Sequence, residues 1–470
     1  MAAYIDMLYN IVWGMPTLLL ILGTGLLLSW RTGFAQLRLF PLACRDFIRR
    51  LTGKRGAEEG ISSFQALCTA LSATVGIGNL AGVAGAIALG GPGSIFWMWI
   101  CALLGMVIKF AEATLAVHFH CRGENGETVG GPMYMISRGM GKKWQPLAGV
   151  YCFFGIVAAF GVGNATQVNA LVGGVREAAS AMGCYLEPKW NVLIGVFVAL
   201  LIAAVLFGGA KRIATIAEKL IPFAAGGYVL LCTAVLILRM DVLPGAFVSI
   251  LEGAFSPKAV TGGAVGSVFM ALRTGISRGV FTNEAGMGTA SIAHASANVA
   301  HPAQQGLMGI MEVFLDTIVI CTMTALVILC SGVPIDYGTD CGAALTTRAF
   351  TAVLGDWASI VIALALCLFA FATILGWGLY GARCAQYLFG AGIWRKFAAL
   401  QTAAVVLGAI VNTTMLWRMA EIVNGLMAIP NLIALWMLTP KLEAILTDFN
   451  CGRASADGGT YENIHQCKSL

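Results

Sequence analysis

Apolar stretches of about twenty residues recur along almost the whole of this 470-residue chain. About twenty is the number a helix needs to cross a ~30 Å hydrocarbon core. Inside a bilayer no water satisfies backbone N–H and C=O groups, so such stretches must fold as helices or as a closed barrel. Long unbroken apolar runs, rather than short alternating ones, point to helices. Composition agrees: 58% of residues are hydrophobic, 11% charged, and the mean hydropathy is +0.82. A soluble domain carries about 25% charged residues, so a soluble globular enzyme is excluded. The expected class is an all-α polytopic membrane protein with about eleven spans. A lead helix covers Gly14–Trp30, and ten more begin near Ser62, Ser94, Pro146, Trp190, Ile216, Gly263, Gln304, Ala358, Phe397 and Arg418. The N-terminus lacks a basic n-region and an A-x-A cleavage site, so no removable signal peptide is expected.

Two of these stretches are interrupted. The first, Ser62 to Gly90, breaks at Thr74-Val75-Gly76-Ile77-Gly78-Asn79; the second, Gly262 to Phe281, is expected to break at Arg273-Thr274-Gly275-Ile276-Ser277-Arg278-Gly279. A broken helix in lipid leaves backbone groups unpaired, at several kcal/mol each, unless something binds there. Five spans precede the loop at Arg239–Thr261 and five follow it, and each half opens on an interrupted helix. An odd number of spans per half inserts the halves in opposite orientations, and breaks at matching positions point to a transporter's central site. The expected organisation is a lead helix and basic loop (1–61), a first five-helix repeat (62–240), a second, inverted repeat (241–438) and a polar, flexible tail (439–470).

Net charge is +6, but the basic residues sit in short loops, and we infer no nucleic-acid partner. The loop holding Arg31, Arg38, Arg45, Arg49, Arg50, Lys54 and Arg55 is the richest. By the positive-inside rule that side is cytoplasmic, placing the N-terminus outside and the C-terminus inside. The 14 cysteines lie mostly in apolar segments without C-x-x-C spacing and read as small hydrophobes. Cys184 and Cys341 share the outer side, with nothing to say that they pair. Gly130–Met135 reads as a re-entrant or interfacial segment, and Asn283–His301 as a segment lying along the cytoplasmic interface.

The break in helix 1 offers two chemistries. The half-helix starting near Asn79 would present N–H groups and a positive dipole end to a carboxylate, while the half ending near Val75 would present carbonyls to a cation. A zwitterion plus a cation fits both, and Asn79→Ala is expected to abolish uptake with folding intact. The competing reading is glycine packing through Gly76, Gly78, Gly82 and Gly85. On helix 3, Asn164 and Gln167 share a face and either bind substrate or bond a neighbouring helix. Glu112 is expected to neutralise Lys109 one turn away. Glu312 and Asp316 on helix 7 could line an ion or proton path, and Arg273 and Arg278 could anchor an anion or pair with those acids. Thr373 offers one hydroxyl mid-span on helix 8, where a hard cation prefers oxygen ligands. Four histidines (His118, His120, His294, His301) lack metal-ligand spacing, and no hydrolase motif or P-loop occurs.

The strings Ala73-Thr-Val-Gly76-Ile-Gly78-Asn79-Leu-Ala-Gly-Val-Ala84, Gly130-Gly-Pro-Met-Tyr134, Gly163-Asn-Ala-Thr-Gln167, Arg278-Gly-Val-Phe-Thr-Asn-Glu-Ala-Gly286 and Phe371-Ala-Thr-Ile-Leu-Gly-Trp377 resemble the alanine/glycine:cation symporter family across essentially the whole chain. The resemblance implies a LeuT-like fold: two inverted five-helix repeats, one extra N-terminal helix, and broken helices 1 and 6. It implies uptake of alanine or glycine coupled to sodium, or in some members to protons, across a bacterial inner membrane. It puts the substrate carboxylate at Gly76, Gly78 and Asn79, and side-chain contacts at Gln167 and around Phe269, Thr274, Gly275 and Ile276. Sodium would lie between carbonyls near Ser72 and Val75 and the Thr373 hydroxyl. Ala372 stands where such transporters commonly carry a second hydroxyl, and Gly378 and Ala382 replace an expected polar residue and acid. A proton-coupled symporter and an uncoupled channel or sensor are the alternatives on the same fold. Oligomeric state is not readable.

Overall fold

The computed structural model describes residues 2–53, 60–256, 261, 267–339, 342–411 and 414–456. Helix 1 is bent, as its glycines require: helix 1a (Ser63–Thr74) and helix 1b (Gly78–Gly90) meet at 52°. A capping box starts it. The Ser62 hydroxyl accepts from the Gln65 N–H at 3.1 Å, and the Gln65 side chain accepts from the Ser62 N–H at 2.9 Å, satisfying two orphan donors. It stops where Val75 turns extended (φ −75, ψ 96).

The remaining core helices are helix 2 (Gly93–His118), helix 3 (Lys142–Ser180), helix 4 (Lys189–Leu206) and helix 5 (Gly209–Leu238). After them come helix 6a (Val268–Asn283), helix 6b (Thr289–His294), helix 7 (Pro302–Cys330) and helix 8 (Trp357–Phe389). Helix 9 (Trp394–Gly408) and helix 10 (Thr414–Ala456) complete the set. Most starts lie within a few residues of those expected, although helix 5 begins seven earlier, at Gly209 rather than Ile216. Among the described residues, seven helices are long and apolar enough to cross a membrane, or eight with the bent pair counted as one. The expected eleven are not reached by this measure, because Met15–Arg31, Val268–Asn283 and Trp394–Gly408 have only 17, 16 and 15 residues.

Helix 2 lies at the centre, with 83% of its most apolar stretch buried, against 28% for helix 5. Small residues let the neighbours approach it closely. A Cβ added to Gly275 of helix 6a would lie 2.3 Å from the Ser94 carbonyl oxygen, and one on Gly309 of helix 7 would lie 2.7 Å from that of Lys109. Two connections expected to be loops carry helices of their own, Leu243–Phe255 and Gly342–Leu354. The second rests on helix 1b, where Thr346 Oγ1 donates to the Leu80 carbonyl at 3.0 Å.

Four expectations are corrected. Helix 6a runs unbroken through Arg273–Gly279; the second break comes later, at Asn283–Gly288, where Glu284, Gly286 and Gly288 adopt φ of 53, 91 and 76. Asn283–Ala295 is not interfacial but buried, packed between helices 1a and 2. The following strand Ala297–Asn298 pairs in parallel with Ile61–Ser62, which tethers this segment to the start of helix 1. The tail is helical as far as Ala456 and pairs Glu443 with Arg31; residues 457–470 lie outside the described ones. Finally, a helix at Ala2–Val12 precedes the lead helix. Cys184 is an exposed free thiol, and Cys341 falls outside the described residues.

Candidate functional site

At the first break, three elements converge on Gly76. A Cβ added there would lie 2.7 Å from Thr373 Oγ1 of helix 8 and 3.8 Å from Gln167 Oε1 of helix 3. Only glycine leaves this space open. Thr373 and Gln167 are 2% and 4% exposed, and neither oxygen has a hydrogen-bond partner among the described residues. Gln167 is nevertheless held in place, its Nε2 donating to the Val162 carbonyl at 3.0 Å. Buried polar atoms are nearly always paired, so two unpaired oxygens facing one backbone break mark a place for something that donates or is positively charged.

Ser72 and Val75 belong to the same junction. Ser72 Oγ donates to the Thr69 carbonyl at 2.7 Å and abuts Gly376, one turn beyond Thr373 on helix 8. The helix 1–helix 8 contact therefore brings the Ser72 and Thr373 hydroxyl oxygens to one seam.

The Asn79 amide is engaged within the protein. Its Oδ1 accepts from the Gly76 N–H at 2.8 Å, and its Nδ2 donates to Asp316 Oδ1 at 2.7 Å and lies 3.3 Å from Cys321 Sγ. Asn79 thus fixes the shape of the break. Gly78 faces Phe281 and Thr282, with a hypothetical Cβ at 3.3 Å from Thr282 Cγ2. These two residues, and not Phe269, Thr274, Gly275 or Ile276, bring helix 6a to the first break. Phe269 is exposed; Thr274 sits against Gly90 at the far end of helix 1b, while Gly275 and Ile276 pack on helix 2. Asn164 also stands apart, its Nδ2 donating to the Gln401 carbonyl on helix 9 at 2.8 Å.

Behind the break lies a buried polar network. Lys109 pairs with Glu312 at 2.9 Å, not with Glu112 as the one-turn spacing suggested. Glu312 also takes a bond from His294 Nε2 at 2.9 Å. His294 Nδ1 lies 2.7 Å from Gln305 Nε2, and Ser63 bonds Gln305 Oε1 at 2.6 Å. An amide N–H donates to Nδ1, so the tautomer that satisfies the chain is neutral, with its proton on Nε2. Asp316 is held by Asn79 at one oxygen and by Thr317 at the other, at 2.8 Å. Arg278 pairs with Glu421 of helix 10 at 3.0 Å rather than with either helix 7 acid. Glu112 instead receives the Gly286 and Gly288 N–H groups at 3.0 and 3.1 Å and thereby holds the second break.

The sequence profile of the sodium:alanine symporter family matches residues 1–462. The chain belongs to the sodium:alanine symporter family. It is 40% identical to the sodium/alanine symporter AgcS of Methanococcus maripaludis, over 94% of this chain and 95% of that one. An uncharacterized transporter of Haemophilus influenzae is 43% identical over 91% of each. The structure of MhsT in complex with L-phenylalanine superposes with a TM-score of 0.57 at 14% identity, covering 88% of this chain and 93% of MhsT; this shows the shared LeuT-like fold. The symporter-family chain is therefore a multi-pass membrane transporter and not an enzyme.

Proposed function

We propose that this transporter carries a small neutral amino acid, alanine or glycine, into the cell together with sodium, by alternating access. The supporting observation is the pair of unpaired buried oxygens, Thr373 Oγ1 and Gln167 Oε1, converging on Gly76. Gln167 Oε1 accepts from the substrate ammonium, and the backbone N–H groups of Ile77 and Gly78 take its carboxylate, that of Gly76 being held by Asn79. Thr373 Oγ1, Ser72 and the Val75 carbonyl supply oxygens to sodium. Phe281 and Thr282 close the pocket, while Asn79 shapes it from behind. One methylene is worth ~1–3 kcal/mol in such a pocket, so alanine and glycine differ only modestly as substrates.

The 40% identity to the sodium/alanine symporter AgcS supports alanine and sodium. A proton route through Glu312 and Asp316 is less well supported, since every oxygen of those carboxylates already has a donor. The basic loops favour an outside N-terminus and a cytoplasmic C-terminus in a bacterial inner membrane. The two repeats are taken as 62–240 and 241–438.

Alanine uptake into proteoliposomes, driven by an inward sodium gradient and compared with potassium or a proton gradient, tests this. Accumulation above equilibrium with sodium alone is expected. Accumulation driven by protons would overturn the sodium assignment, and mere equilibration would indicate an uncoupled channel.

A further inference from the structure

Four buried carboxylates, Glu112, Glu284, Glu312 and Asp316, lie at the two breaks and in the network behind them, and one is bonded differently from the rest. Glu284 accepts from Thr289 at Oε2 and from Trp377 at Oε1. Glu312 and Asp316 likewise have a donor at each oxygen. Glu112 has three donors on Oε1: the N–H groups of Gly286 and Gly288, and Asn431 Nδ2 at 2.6 Å. Among the described residues its Oε2 has none, and neither does Asn431 Oδ1. Glu112 and Asn431 are both fully buried, at 0% exposure.

Two acceptors without donors, on groups already joined through their other atoms, have one simple joint solution. A proton on Glu112 Oε2 would let the acid donate to Asn431 Oδ1 while its Oε1 accepts from Asn431 Nδ2, closing a two-bond ring. Charge balance points the same way. The charged and titratable groups that act on Glu112 are Lys109 and Glu312, with Tyr151 and Tyr380 close by, and His294 lies beyond, on Glu312. His294 is neutral in the tautomer its bonds require, and the Lys109 ammonium is matched by Glu312 at 2.9 Å. An ionised Glu112 would add a second carboxylate charge beside one ammonium, Lys109, that already pairs with Glu312, in an interior where unmatched charge is strongly disfavoured.

We infer that Glu112 is a proton-binding site: in this conformation it is a neutral carboxylic acid, paired to the Asn431 amide and pinning the second break through Gly286 and Gly288. The proton is held some way from the Gly76 pocket, whichever ion drives uptake. It ties the protonation of helix 2 to the backbone of the second break and to helix 10.

Infrared difference spectroscopy on the full-length protein in lipid, with 13C-labelled glutamate, tests the site. Wild type near neutral pH should show a protonated-carboxyl C=O band that Glu112→Gln lacks. The Gln side chain reproduces the neutral acid, accepting through its carbonyl and donating to Asn431 Oδ1. At neutral pH the variant should therefore melt above wild type, which alone has to take up a proton on folding. At alkaline pH, wild type should melt lower as the acid ionises, and the variant should not. Asn431→Leu keeps the acid but removes its acceptor, and should shift the band to higher frequency. That arm stands even where Glu112→Gln fails to fold. A band unchanged by both substitutions would overturn the proposal, as would one that appears only when sodium is withdrawn, which would make Oε2 a sodium ligand.

Discussion

Thr373→Val should separate stability from transport. Valine matches threonine in shape, so helix packing is retained, and the lost hydroxyl has no partner among the described residues. A buried hydroxyl left unpaired costs about 1–3 kcal/mol, so in sodium-free buffer the variant should be more stable by that amount. With an unfolding entropy of about 2.1 cal/mol/K per residue, a chain of 470 residues has close to ~1 kcal/mol/K. The expected rise in Tm is therefore about 1–3 °C. Sodium should close the gap. At roughly 100 times its Kd a ligand stabilises the folded state by about 2.7 kcal/mol, whereas removing an oxygen from a charged partner loses about 1.5–3 kcal/mol, or roughly ten- to hundred-fold in affinity. Wild type should then gain about 2.7 kcal/mol from sodium and the variant only about 0.4–1.4 kcal/mol, a larger sodium-induced rise in Tm for wild type, and sodium-driven alanine uptake should collapse in the variant. Thr373→Ser, which restores the oxygen, should recover both. The reasoning fails if Thr373→Val melts lower without sodium, or keeps a wild-type sodium response.

Gly76→Ala would place a Cβ 2.7 Å from Thr373 Oγ1; overpacking costs about 1–3 kcal/mol, and uptake should vanish together with the alanine-induced rise in Tm, so retained uptake refutes the pocket. Asn79→Ala removes the brace on the Gly76 N–H and a donor to Asp316. It should lose transport and also roughly 2–4 kcal/mol of stability, seen as a lower melting temperature; an unchanged one would mean that the brace matters little. Lys109→Met leaves Glu312 buried without its cation and should cost about 3–5 kcal/mol. Adding Glu312→Gln should restore part of that loss in melting experiments, and strictly additive losses would contradict the pairing.

The parts of the fold legible in the sequence are those set by local pattern. Apolar length placed most of the core helix starts, because lipid forces each long run into a helix of its own. Gly76 and Gly78 announced the first break because they occur together with Asn79, a side chain able to bond the freed backbone. Gln167 and Thr373 were legible as lone polar groups in apolar helices. What could not be read was partnership between helices. Lys109 and Glu112 are one turn apart, and intrahelical spacing makes them a pair, yet each is met by an element far away in sequence: Glu312 for Lys109, and the Gly286–Gly288 backbone with Asn431 for Glu112.

The misplaced second break shows why glycine is an ambiguous signal in a membrane helix. Gly275 sits between two arginines and Gly279 directly follows the second, which looks like a polar interruption. Their backbones are instead in an ordinary helix, and the missing side chains admit helix 2, whose Ser94 oxygen and Cys101 side chain would lie 2.3 and 3.1 Å from added Cβ atoms. The charge of Arg278 is met by Glu421, so nothing there has to unwind. Ten residues later, Gly286 and Gly288 take positive φ, which side chains resist and glycine does not. Glu284 takes a positive φ as well, and its side chain is secured by Thr289 and Trp377. The discriminating mark was therefore the company the glycines keep: next to apolar residues they bring helices together, while alternating behind a buried Asn-Glu pair they free a backbone whose N–H groups a carboxylate from another helix then collects.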